Sequence, residues 1–249
     1  MMIRTLLSTV ALGATLAAPA AALDLSEMSE AERTAFRAEV RAYLLDNPEV
    51  IFEAVAVMEE RQASLQAAND GDLIADNAAA LFEDDQSWVG GNPDGDITIV
   101  EFLDYRCGYC RKAFPEVSEL VQSDGNIRLI VKEFPILGEG SVLSSRFAIA
   151  TRQVAGDDAY KQVHDALMTF KGEFNEVTLS RLADSLGLEA APILAQMDSP
   201  EVTAVIQANH ALGAKMDISG TPSFVMGNQM IRGYVPLGGM QEIVADERG

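Results

Sequence analysis

The chain has 249 residues, 48% of them hydrophobic, and sets 18 Lys and Arg against 38 Asp and Glu for a formal charge of −20. That balance argues against nucleic acid and anionic lipid as partners and fits a charged surface that keeps an exported protein soluble. Two cysteines are too few for a disulfide scaffold, while the length can bury a full core and carry an appendage besides.

Residues 1–22, MMIRTLLSTVALGATLAAPAAA, combine Arg4, an apolar stretch from Thr5 to Ala18 and a small-residue end. This is the pattern of a cleaved secretory signal, and the stretch falls short of the ~20 residues that span a membrane. The expected location is the bacterial periplasm, where thiols can be oxidised. Residues 23–84 read as an N-terminal helical arm. Ser29 and Glu32 form a capping-box pattern ahead of a helix with Phe36, Val40, Tyr43 and Leu44 on one face. Asn47-Pro48 opens a second helix, in which eight of the nine residues from Val50 to Met58 are apolar. One helical face cannot hold so many, so they need partners, either the main domain or other copies of the arm. The stretch from Asn69 to Asp96 is then expected to be a connector with one short helix and a Gly-Asn-Pro-Asp-Gly turn.

The main domain is assigned to residues 85–249. ITIVEFLDY, from Ile97, suits a strand buried on both faces. A helix to about Gln122 and the strand IRLIVKEFP complete a parallel crossover unit. Residues 139–215 are helical in period throughout and are expected to form an inserted helical subdomain. Strands return at SFVM and QMIRGYV around a Gly227-Asn228 hairpin turn, and a last helix closes the chain.

Both cysteines lie in EFLDYRCGYCRKAFP, residues 101–115. A Cys-x-x-Cys pair opening a helix exposes the first sulfur, Cys107, to unpaired backbone N–H groups and the helix dipole, with Arg106, Arg111 and Lys112 nearby. Cys110 is one turn further in and more buried, so Cys107 reads as the attacking thiolate and Cys110 as the resolving thiol. The alternatives fare worse. A zinc site lacks ligands at the usual spacing, with His164 and His210 far apart; a c-type haem would need His where Arg111 stands; a structural disulfide across two residues closes too small a loop to stabilise much. No metal and no cofactor is expected.

Strand, CGYC, and a helix with Pro115 five residues past the second cysteine resemble the thioredoxin superfamily. The helical insertion and the signal narrow the resemblance to DsbA-like periplasmic thiol-disulfide oxidoreductases, over roughly residues 85–249. It implies an α/β thioredoxin fold with a helical insertion, preceded by the N-terminal helical arm. It also implies a cis bond at Thr221-Pro222 beside the dithiol, keeping a backbone edge open for the client's extended chain. Gly108 and Tyr109 are implied to line the same client groove. Glu101, costly inside an apolar strand, is implied to assist proton transfer at the buried cysteine, with Lys132 on the neighbouring strand as its candidate partner. Gly108-Tyr109 and Thr221 depart from the Pro-His dipeptide and Val of the founding DsbA pattern. They resemble the DsbC isomerases and the ScsC proteins linked to copper tolerance, several of which are oligomers held by an N-terminal segment. The implied protein is a homo-oligomer, perhaps a trimer, with isomerase or mixed isomerase and oxidase activity on cysteine-containing clients, recharged by a membrane redox partner. The alternative is a non-catalytic chaperone or a copper(I) carrier that uses Cys107 and Cys110 as soft ligands.

Overall fold

The computed structural model describes residues 28–249, so the signal expected over residues 1–22 lies outside the described residues. The chain divides into two units, Met1–Glu59 and Glu60–Gly249.

In the first unit α1 spans Glu30–Asp46 and α2, Glu49–Asp76, begins. Ser29 caps α1 as its sequence dictates: the Glu32 N–H donates to Ser29 Oγ and the Ser29 N–H to Glu32 Oε2. No residue of α1 is buried. Phe52 is 75% exposed, and Tyr43, Leu45, Ile51 and Met58 are also open to solvent.

The second unit opens with the rest of α2, which runs further than the composition of the expected connector implies, and with α3, Ala78–Phe82. The strand β1, Trp88–Gly91, follows. It was not expected, because only Trp88 and Val89 favour a strand and the Gly-Gly that follows does not; pairing with a neighbouring strand creates it. Then come β2 (Ile97–Leu103), α4 (Gly108–Asp124), β3 (Ile127–Glu133), and five helices, α5 (Glu139–Ala155), α6 (Asp157–Thr169), α7 (Glu176–Ser185), α8 (Ala190–Gln196) and α9 (Pro200–Lys215). The chain ends with β4 (Ser223–Met226), β5 (Gln229–Arg232) and α10 (Leu237–Arg248).

The sheet has the order β1-β3-β2-β4-β5, with β2 and β3 parallel and every other pair antiparallel. Its two faces follow from strand alternation. Ile97, Ile99 and Leu103 point to the face covered by α4, α10 and the helices between β3 and β4. Val100 and Phe102 point to the other, covered by Ile74 of α2, Leu81 of α3, and Leu212 and Met216 at the end of α9. The last two turns of α2 thus reach the core of the second unit through Ile74, with Asp70 also buried, while the residues from Glu60 to Asn69 stay exposed. Asp70 of α2 accepts both terminal nitrogens of Arg232 from β5, each at 2.9 Å.

Candidate active site

The site lies where β2 ends and α4 begins. Cys107 is the N-cap of α4, and Cys110, one turn in, is fully buried. Pro115 inside the helix removes one backbone N–H from its ladder. Asp104, buried and unforeseen from sequence, shapes the approach to the thiols. Its Oδ1 accepts from the Arg106 N–H at 2.8 Å, and its Oδ2 accepts from the N–H groups of Ile136 and Leu137 at 2.8 and 3.0 Å, tying the loop after β2 to the loop after β3.

The Thr221–Pro222 peptide bond is cis. The loop that carries it closes on Cys107, with the Thr221 carbonyl oxygen 3.1 Å from Cys107 Sγ. Pro222 is buried, and β4 follows at once, its Ser223 in register with Phe102 and its Phe224 with Glu101. Tyr109 is 63% exposed and stacks on Tyr234, their ring centroids 6.2 Å apart, while Lys112 Nζ sits 4.1 Å from the Tyr234 ring centroid. Gly108 is exposed, and a methyl group in place of its hydrogen would meet nothing; the space beside it is open.

The two thiols are driven apart electrostatically. Cys107 is pulled from 9.0 down to about 5. The Cys110 thiol that hydrogen-bonds to it does most of this, and the Thr221 side chain and the Cys110 and Tyr109 backbone N–H groups add to it against the cost of burial. Cys110 is pushed well up, first because its proton serves Cys107, then by burial and the nearby Glu101. The three basic side chains do not supply this effect. Arg111 donates to the carbonyls of Tyr105, Phe170 and Leu167, Arg106 reaches the Leu137 carbonyl, and Lys112 lies over Tyr234. Local hydrogen bonds at a helix start, not a cationic cluster, favour the thiolate.

Glu101 is 3% exposed and its Oε1 has no hydrogen-bond partner. Burial, followed by the charges of Glu133 and Cys107, pushes it from 4.5 up to about 8. The expected Lys132 partnership does not form. Glu101 is opposite Val131, and Lys132 opposite Phe102, so strand alternation sends the lysine to the other face of the sheet. There it pairs with Asp84 and donates to the Ala80 carbonyl at 2.8 Å, and burial lowers it to about 8. A second buried acid, Glu133, takes the place beside Glu101 that the lysine was expected to fill. The alternation of IRLIVKE puts Lys132 and Glu133 on opposite faces, and the register of β3 against β2 decides which of them joins Glu101.

His164 packs among Trp88, Tyr105, Phe114 and Tyr160, and His210 among Phe134 and the Pro135 carbonyl. Met216 and Met226 are buried in separate clusters, on opposite faces of the sheet.

A thiol lowered to about 5 at a helix start, a buried second thiol one turn on, a cis-proline loop against the first sulfur and a helical subdomain set into a mixed sheet define a thioredoxin-fold dithiol protein. A family profile described as DSBA-like thioredoxin domain matches residues 98–245, and the chain belongs to that family. Residues 32–64 match a second profile, the copper resistance protein ScsC N-terminal domain. A thioredoxin-like oxidoreductase from Silicibacter pomeroyi DSS-3 is 44% identical, with a TM-score of 0.64 over 68% of this chain and 96% of that one. The disulfide bond formation protein D of Bacillus subtilis is 22% identical over 171 residues, 64% of this chain and 76% of that protein. The Na(+)/H(+) antiporter NhaA 1 of Salinispora arenicola is 29% identical over 151 residues, 60% of this chain. The match covers 23% of the antiporter's length. Among the described residues no helix is long and apolar enough to cross a membrane.

Proposed function

We propose that the protein is a periplasmic thiol-disulfide oxidoreductase for cysteine-containing protein clients, working as a homo-oligomer with isomerase or mixed isomerase and oxidase activity. The observation that carries the chemistry is the asymmetry of the dithiol, with Cys107 drawn down to about 5 and Cys110 pushed far up. Near neutral pH Cys107 is a thiolate without any external base, and Cys110 keeps its proton until it is needed.

The Cys107 thiolate attacks one sulfur of a client disulfide, forming a mixed disulfide and releasing the other client sulfur as a thiolate. For isomerisation that released thiolate, or another in the client, attacks elsewhere and finally displaces Cys107, so no net electrons move. Otherwise Cys110 gives up its proton and attacks Cys107 Sγ, leaving the protein oxidised and the client reduced by two electrons. In the oxidase direction the steps reverse, and a membrane redox partner takes the two electrons that the dithiol has gained. Thr221, Pro222, Gly108 and Tyr109 hold the client's backbone beside Cys107. Glu101 exchanges the proton of Cys110.

The exposed apolar residues of α1 and of the start of α2, together with the match to an ScsC N-terminal domain, support assembly through the arm. Several sites brought together on arms would raise the local thiol concentration around a misfolded client. The test is reactivation of scrambled ribonuclease by the whole exported chain beside one that begins at Glu60. Rescue by the whole chain alone supports an oligomeric isomerase. Failure of both, with reduced ribonuclease still oxidised, identifies a plain oxidase and removes the role given to the arm.

A further inference from the structure

Glu101 and Glu133 point to the same face of the sheet from neighbouring strands: Glu101 lies opposite Val131, and Leu103 opposite Glu133. Both are 3% exposed, yet their surroundings are opposite in kind. Glu133 Oε1 accepts from the hydroxyls of Tyr105 and Tyr160, each at 2.7 Å, and Oε2 accepts from the Ser145 hydroxyl at 2.7 Å. A hydroxyl has one hydrogen to give. With Tyr105 donating to Glu133, its oxygen is left to accept from His164 Nδ1, 3.0 Å away, which places the imidazole proton on that nitrogen. Burial keeps the ring neutral by pulling it down to about 3.

Three donors converge on Glu133 and none on Glu101 Oε1. Burial pushes Glu133 up from 4.5 to about 7, and the three hydroxyls, which favour its carboxylate form, hold it below Glu101 at about 8. Glu101 meets only Glu133 from β3 and the two thiols of α4 as titratable neighbours. The groups facing Glu133 are Tyr105 and Asp104 from the loop after β2, Ser145 from α5, and Tyr160 from α6, with His164 behind Tyr105 and the Asn209 amide of α9 on its backbone carbonyl. No cation among them neutralises it: Arg152, near Tyr160, is committed to Asp157 and to the carbonyls of Asp85 and Gln86. Lys132, the lysine beside Glu133 in sequence, is on the opposite face.

We propose that Glu133 is a positioning residue for the dithiol chemistry, a carboxyl whose charged form three hydroxyls favour and which thereby keeps the proton of the pair on Glu101, ready for delivery to Cys110. This rests on the exchange reading above. When a client thiolate attacks Cys107 Sγ of the oxidised protein, the Cys107–Cys110 bond breaks and its electron pair leaves on Cys110. The Glu101 proton then passes to Cys110 Sγ. In the reverse step Cys110 returns the proton to the Glu101 carboxylate as its sulfur attacks the mixed disulfide. Glu133 passes no proton to either sulfur; its negative charge makes the carboxylate form of Glu101 unfavourable.

The test is a carboxyl NMR titration of the full chain labelled at glutamate, in the reduced state and without client, with Glu101 assigned from Glu101→Gln. In the wild type the high midpoint belongs to Glu101, and in Glu133→Gln it falls by about one pH unit or more. Tyr160→Phe keeps Glu133 but removes one donor to it, and shifts the Glu101 midpoint by less in the same direction. A merely structural role for Glu133 would lower the melting temperature without moving this midpoint. The proposal is overturned if Glu133 carries the high midpoint, or if Glu101 is unmoved in folded Glu133→Gln. Should that variant not fold, an unmoved midpoint in Tyr160→Phe overturns it. Because no client is present, the result does not depend on whether the dithiol exchanges with proteins.

Discussion

Replacing Glu101 by Gln should make the reduced protein more stable as pH rises. The folded chain holds the Glu101 proton up to about 8, where the unfolded chain releases it near 4.5. The native state therefore binds the proton more tightly, and stability is lost as pH climbs through the interval between those values. At about 1.36 kcal/mol per pH unit the whole interval is worth ~5 kcal/mol, of which ~3 kcal/mol is already lost at pH 7. Gln has no proton to lose, so whatever it costs or gains by its shape is constant with pH. The stability of Glu101→Gln relative to the wild type should grow by about 3 kcal/mol between pH 4.5 and pH 7. Urea denaturation of both proteins under the same reducing conditions, at several pH values across that range, measures the gap. A gap constant to within about 0.5 kcal/mol, near the error of such extrapolations, would refute the reasoning.

The ultraviolet absorbance of the Cys107 thiolate should titrate with a midpoint about 5 and vanish in Cys107→Ala along with insulin reduction; a midpoint near the ordinary 9.0 would remove the basis of the nucleophile assignment. Lys132→Met should leave that midpoint unchanged, since the lysine lies across the sheet from the thiols, while breaking its buried pair with Asp84 at a cost of ~3 kcal/mol in denaturant unfolding. A moved thiolate midpoint in that variant would restore Lys132 to the site. In sedimentation the whole exported chain should run as a multiple of the monomer and a chain beginning at Glu60 as a single copy; a monomeric whole chain sinks the proposed assembly.

The parts of the fold carried by local periodicity were legible before any coordinates. The capping box at Ser29, the crossover from Ile97 to Glu133 and the helices between β3 and β4 stand where pattern and turn chemistry put them. β1 was not legible, because Trp88–Gly91 becomes a strand only through its ladder to Val131–Arg128. The dithiol announced itself by spacing and helix position, and the bond before Pro222 by resemblance. What the chain could not state was which side of the sheet a charged residue would choose. Lys132 and Glu133 are adjacent in sequence and part company at the sheet, one going to Asp84 and the other to Tyr105 and Tyr160. Choosing between them requires the register of β3 against β2, a tertiary quantity.

Arg111 follows Cys110 directly and donates to the carbonyls of Tyr105, ahead of the dithiol, and of Leu167 and Phe170, at the end of α6. One planar cation thus staples the turn that carries the dithiol to the helical subdomain. A displacement of the end of α6 is therefore passed through three hydrogen bonds to the turn before Cys107. Arg111→Lys would keep the charge and lose the fork, uncoupling the end of α6 from the turn that carries Cys107.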